Sequence, residues 1–124
     1  MEERREYVRI SCKLEVESKT GNNWFMLYSK NIGMDGMLLS CESDIEKLKK
    51  VGIDTEKKVF LSFYLSDQGD VVKVSGMVVY VERKTDSVDG SEASFIGIQF
   101  NDVSDKTKKQ LGNFISKKEK KPII

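Results

Sequence analysis

The sequence predicts a mostly β domain: about six strands arranged as a closed or nearly closed antiparallel barrel, with a short helix and a C-terminal helix. Short runs in which apolar and polar residues alternate predict the strands, and turn-forming clusters between them predict hairpin links. Six hairpin-linked strands are too many for one flat sheet in a chain of this size, which points to closure. At 124 residues there is room for one core and not two. With 39% hydrophobic and 33% charged residues the composition is that of a folded domain, not a disordered chain.

The elements follow in order. From Tyr7 to Ser18 the residues Val8, Ile10, Cys12, Leu14 and Val16 point one way and the polar residues between them the other, a strand with one buried face. Thr20-Gly21-Asn22-Asn23 is a turn, and Trp24 to Ser29 is the returning strand. Lys30 to Gly36 forms a short segment with two glycines, followed by the apolar run Met37 to Leu39. Ser43 to Val51 has capping residues and apolar spacing for a short helix, stopped by Gly52. Val59, Leu61, Phe63 and Leu65 alternate with Phe60, Ser62 and Tyr64 in another strand. Asp67 to Asp70 turns the chain into a longer strand, Val71 to Arg83, and a polar loop leads to a last strand, Ser94 to Phe100. Ser104 can cap a helix running to about Lys117, with Leu111, Phe114 and Ile115 on one side to dock it on the barrel. The domain is expected to span residues 1–116, with 117–124 a lysine-rich, frayed tail.

Composition removes several functions. Without a histidine there is no Ser-His-Asp or Cys-His machinery and no histidine-ligated metal. The acidic residues are scattered, with no apolar setting to shift their pKa values, so an enzyme is not expected. Cys12 and Cys41 are too few and too far apart for a zinc site or a disulfide framework, and read as reduced, buried, inert thiols in a cytoplasm. No stretch approaches the length of a membrane span, and the N-terminus lacks the apolar core of a signal peptide. Net charge is only +1, so anion recognition must come from a local cluster. Trp24, Phe25, Phe60, Phe63, Phe95 and Phe100 read as core or barrel-wall residues rather than a base-stacking platform.

Two segments carry chemistry beyond packing. Arg4, Arg5 and Arg9 lie together at the mouth of the first strand, and arginine's rigid fork suits phosphate oxygens and the O6/N7 edge of guanine. Glu2, Glu3 and Glu6 partly neutralise the cluster, so on composition alone it reads more readily as a set of solvated charges. The second segment is Asn31-Ile32-Gly33-Met34-Asp35-Gly36, whose glycines let a backbone approach a ligand closely, although such segments are commonly plain turns.

In order and spacing these segments resemble the PilZ domain family. The pattern is RRxxxR at Arg4, Arg5 and Arg9, then Asn-x-Gly-x-x-Gly running into Met37-Leu38-Leu39, Gly76 to Tyr80 in a long strand, and Phe95 to Phe100 before a C-terminal helix. The resemblance implies a six-stranded barrel that binds cyclic di-GMP without cofactor or metal. It implies that Arg5 and Arg9, with Arg4 adjacent, clasp guanine edges and phosphates from a mobile N-terminal segment. It also implies that Asn31, Gly33 and Gly36 form the second element, usually (D/N)xSxxG, and that Tyr80 supplies an aromatic on the ligand-facing wall. Closure of the arm would then change the surface shown to an effector protein.

Gly33 departs from the family pattern by removing a serine hydroxyl. Loss of one such hydrogen bond weakens binding by roughly a few-fold to a hundredfold. Two rival readings remain: a PilZ-like adaptor that binds protein but no nucleotide because of Gly33, and a small RNA-binding barrel. The near-neutral charge argues against the RNA reading.

Overall fold

The computed structural model describes residues 8–41, 46, 50, 52–65, 69, 71–85 and 87–118, with the backbone of Glu119. Its strands are β1 (Arg9–Ser11), β2 (Glu15–Thr20), β3 (Asn23–Gly33), β4 (Gly36–Cys41), β5 (Lys58–Tyr64), β6 (Val71–Thr85) and β7 (Glu92–Asn101), followed by a helix, α1 (Asp105–Glu119). Antiparallel pairing runs β3-β2-β5-β6-β7-β4, and β4 pairs back to β3, which closes a six-stranded barrel. The remaining strand, β1, lies outside that ring and pairs with the far end of β3.

Inward positions follow the alternation of the sequence. Val16, Ile32, Met37, Leu39, Leu61 and Phe63 are essentially inaccessible, and Leu111 and Phe114 of α1 join the same core. Burying each such side chain contributes on the order of 1.5–3 kcal/mol, which is what fixes the register of the strands. The β2–β3 hairpin turns through Gly21 and Asn22, with Gly21 at φ +58°, a backbone state glycine reaches without steric cost.

Helix α1 begins as expected. The Ser104 hydroxyl accepts the Thr107 N–H at 3.2 Å, and the Thr107 hydroxyl donates to the Lys73 carbonyl at 3.3 Å, tying the first turn to β6. Asp105 in the first turn and Lys117 and Lys118 in the last oppose the helix dipole. Leu111, Phe114 and Ile115 are the buried stripe.

Several expectations need correction. The single first strand is two, broken at Cys12–Leu14. From Ser11–Asn31 to Glu15–Tyr28 the first chain advances four residues and β3 only three, so one residue is extra. The Ser29 hydroxyl fills the break: it donates to the Cys12 carbonyl at 2.6 Å and accepts the Leu14 N–H at 2.9 Å. Val8, expected inside, is 52% exposed because it lies beyond the last paired residue of β1. Of the rings expected in the core or on the barrel wall, Trp24 and Phe60 take the wall: alternation turns Phe25, Val59 and Leu61 inward and leaves these two rings outside, about half exposed. Lys30 to Gly33 is not a separate segment but the end of β3. The expected helix Ser43–Val51 lies outside the described residues but for Glu46 and Lys50, and the Asp67–Asp70 turn but for Gly69.

Candidate functional site

The far end of β3 builds a glycine ledge. Asn31, Ile32 and Gly33 close the strand, Met34 and Asp35 form the link, and Gly36 opens β4. Arg9 of β1 is the Cα partner of Gly33. Glycine is required at position 36, where a Cβ would lie 2.1 Å from the Ile98 carbonyl oxygen and 3.3 Å from Arg9 Nη2. The Arg9 guanidinium therefore lies over the bare backbone of Gly36.

Next to the ledge, pairing across four strands sets Asn31, Leu38, Gly97 and Tyr80 in one row on the outer face. The row spans three strand spacings, ~14 Å. A β-bulge adjoins each end: the register slips at Lys30, just before Asn31, and at Val79, just before Tyr80. These slips turn Asn31 and Tyr80 outward while Ile32 and Val78 stay in the core. Gly97 is the floor under Tyr80, since a Cβ there would sit 3.0 Å from Tyr80 Cβ and 3.6 Å from its ring.

Polar groups meet at the ledge. Arg9 Nε and Asp35 Oδ1 are 3.6 Å apart, an ion pair longer than a hydrogen bond. Both atoms, and Asn31 Oδ1, are shielded from solvent and have no hydrogen-bond partner among the described residues. Buried polar groups rarely go unpaired, and each carries a desolvation cost that a ligand or water can offset. At the other end of the row Tyr80 donates its hydroxyl to Glu82, whose carboxylate is also 3.0 Å from Lys84 Nζ. The Tyr80 hydroxyl, and then Lys84, hold Glu82 below the usual carboxylate range, and the bond to Glu82 pushes Tyr80 up.

Towards β2, an open depression of about 460 Å³ lies between Lys13, Tyr28 and Lys30. Lys13 sits over the Tyr28 ring at 5.1 Å, and Lys30 and Lys84 flank half-buried Phe95 at 5.6 and 5.5 Å. Lys13 and Lys30 thus stand beside the ledge on aromatic rings, whereas Lys84 is also paired with Glu82. Cys41 is buried as expected, but Cys12 is only half-buried and lines the depression; burial pushes its thiol up, against a smaller opposing effect of the Ser29 hydroxyl.

Of the residues singled out from sequence, Arg9, Asn31, Gly33 and Gly36 come together, and Tyr80 stands at the far end of the same row. Arg4 and Arg5 lie outside the described residues. Sequence reasoning missed Asp35, whose carboxylate meets Arg9 only once β1 pairs with the end of β3. It also missed Gly97, whose place inside a strand pattern marked a close approach. Among the described residues no group of three or more His, Cys, Asp or Glu could hold a metal ion, and no helix is long and apolar enough to cross a membrane.

A closed antiparallel barrel with an outer leading strand, a glycine ledge and a docked C-terminal helix defines a class of small β-barrel domain. The sequence pattern of the PilZ domain matches residues 3–117, and the chain belongs to that family. Comparison with curated proteins gave no match. Among solved structures, the PilZ domain of Escherichia coli YcgR with c-di-GMP superposes with a TM-score of 0.74 at 17% identity, covering 94% of this chain and 92% of that one. The Bacillus subtilis inhibitor of motility MotI/DgrA gives 0.71 at 15% identity, covering 97% of this chain and 53% of that one. Borreliella burgdorferi PlzA in complex with c-di-GMP gives 0.59 at 15%, covering 94% and 54%. The chain thus spans about half the length of the latter two.

Proposed function

We propose that the chain is a cytoplasmic receptor for cyclic di-GMP that binds the dinucleotide without chemical turnover and without a cofactor. One observation carries the reading: the Arg9 guanidinium is laid over a side-chain-free ledge, beside a shielded Asn31 oxygen that lacks a hydrogen-bond partner among the described residues. Family membership and the cyclic di-GMP held by the YcgR and PlzA structures support the same ligand.

In this reading the terminal nitrogens of Arg9 take a guanine O6/N7 edge or a phosphate, as a fork of donors does best. The Asn31 amide and the Gly36 backbone supply short polar contacts, and the Gly33 backbone makes room for them. The ring of Tyr80 offers a flat face to a purine over Leu38 and Gly97. Arg4 and Arg5 complete the clasp from the leading segment. Closing that segment costs on the order of 1–2 kcal/mol per ordered residue, offset by charge-assisted bonds to the ligand. The rearranged surface is then read by an effector protein.

Calorimetric titration tests the proposal, using cyclic di-GMP against GTP and cyclic di-AMP as controls. Wild type should bind cyclic di-GMP saturably. Arg9→Ala should lose about a hundredfold, since bonds from a charged donor are worth up to ~3 kcal/mol, and Arg5→Ala should also weaken binding. A wild type that shows no saturable binding sinks the receptor reading and leaves the adaptor that binds only protein.

A further inference from the structure

We infer that Asp35 is a positioning residue for Arg9, and that its carboxylate borders the space a serine would need at position 33. The inference takes its ligand from the cyclic di-GMP reading, whereas its geometry stands without any ligand. A Cβ on Gly33 would lie 3.2 Å from Asp35 Oδ1, 3.0 Å from Arg9 Cγ and 2.9 Å from the Val8 carbonyl oxygen. Contacts that short require the neighbours to move, and a hydroxyl beyond the Cβ would add to the crowding. A serine at 33 would press first on β1, at the Val8 carbonyl oxygen and Arg9 Cγ, and also on Asp35 in its present place. With glycine there, β1 lies close against β3 and Asp35 Oδ1 reaches Arg9 Nε at 3.6 Å.

The side of the guanidinium that Asp35 faces matters. Nε is its inner donor, so a carboxylate there leaves the outer nitrogens to other partners. One of these, Nη2, already lies against the Gly36 backbone. Arginine has many rotamers to lose on binding, and holding it beforehand lowers that cost. The missing serine is thus replaced by a carboxylate that acts through Arg9 rather than by a hydroxyl that touches the ligand.

The test has a ligand-free arm and a ligand arm, each on variants first checked for a cooperative thermal melt. In the ligand-free arm, the Arg9 Nε–H resonance, assigned through Arg9→Lys, should exchange slowly in wild type, faster in Asp35→Ala, and at an intermediate rate in Asp35→Asn. An unchanged exchange rate in Asp35→Ala overturns the positioning role whatever the ligand does. In the ligand arm, Asp35→Ala should weaken cyclic di-GMP binding about tenfold in wild type and not at all in an Arg9→Ala background. Tighter binding by Asp35→Ala, or an equal loss in both backgrounds, overturns it. Gly33→Ser, which restores the family pattern, should bind no better than wild type, because its Cβ presses on the Val8 carbonyl oxygen and Arg9 Cγ as well as on Asp35. A Gly33→Ser protein that binds more tightly overturns the crowding at that position. If wild type binds no cyclic di-GMP, the receptor reading fails while the Nε–H arm still decides the role of Asp35.

Discussion

The two ends of β3 use the same strand for different purposes. At the Trp24 end the outer face carries large side chains, and lysines cover them: Lys19 lies over the Trp24 ring at 5.1 Å and, one strand further, Lys58 over Phe60 at 5.3 Å. At the Gly33 end the outer face carries almost no side chain, and the nearest cation is paired with a carboxylate over bare backbone. The first end satisfies itself, since its rings and ammonium groups are one another's partners. The second leaves Arg9 Nε, Asn31 Oδ1 and Asp35 Oδ1 shielded and without hydrogen bonds among the described residues. Exposed apolar area alone points to the Trp24 end. The informative signal is small residues next to polar atoms that lack partners.

If that contrast is real, substitutions should cost most where the backbone is closest. Gly36→Ala brings a methyl group to 2.1 Å from the Ile98 carbonyl oxygen, a backbone atom of the central β4–β7 pairing that cannot rotate away. The expected loss is about 3 kcal/mol, read as a lower urea midpoint at unchanged slope. A wild-type midpoint would mean that the ledge is open enough to accept side chains, and the contrast with the Trp24 end would collapse. Midway along the strand, Ser29→Ala strips both the Cys12 carbonyl and the Leu14 N–H of their hydroxyl partner. That change should cost about 2 kcal/mol and loosen β1, speeding amide exchange at Ile10 more than at Val16. Equal effects at both residues would show that β1 and β2 behave as one strand despite the break.

How much of this was legible in the sequence depends on the reach of each interaction. Alternation placed Leu61 and Phe63 inside, and the Ser104 cap and the Leu111, Phe114 and Ile115 stripe were readable, because each is decided within a few residues. The Cys12–Leu14 break was not readable. It rests on a hydroxyl more than a dozen residues away that replaces a missing ladder bond, and the local pattern from Val8 to Val16 alternates without interruption. In the candidate site, Arg9, Asn31 and Gly36 were visible as a spaced motif. The bulges at Lys30 and Val79 arise from pairing with β4 and β7 and leave no local mark. Asp35 was hidden for a related reason: its place depends on what Gly33 lacks, and a missing Cβ has consequences only once β1 is laid against it.

The smallest expected effect is the most direct check of the comparison. Trp24 is the only tryptophan, and it lies seven residues from Asn31 along an extended strand, ~24 Å away. Its half-exposed ring has Lys19 as a neighbour and belongs to neither the ledge nor the row that ends at Tyr80. Saturating the protein with cyclic di-GMP should therefore leave its emission, excited at wavelengths tyrosine does not absorb and corrected for nucleotide absorbance, unchanged in both maximum and intensity. Trp24→Ala should likewise leave nucleotide affinity as it was and cost about 1 kcal/mol of stability, the scale of a lost cation–π pair on a half-exposed ring. A quenched or shifted emission would mean that a ligand at one end alters the packing of Lys19 on Trp24 at the other. The two ends would then be one coupled surface, because a closed barrel whose strands all pair can pass a register change around the ring, and β3 is the strand that joins them.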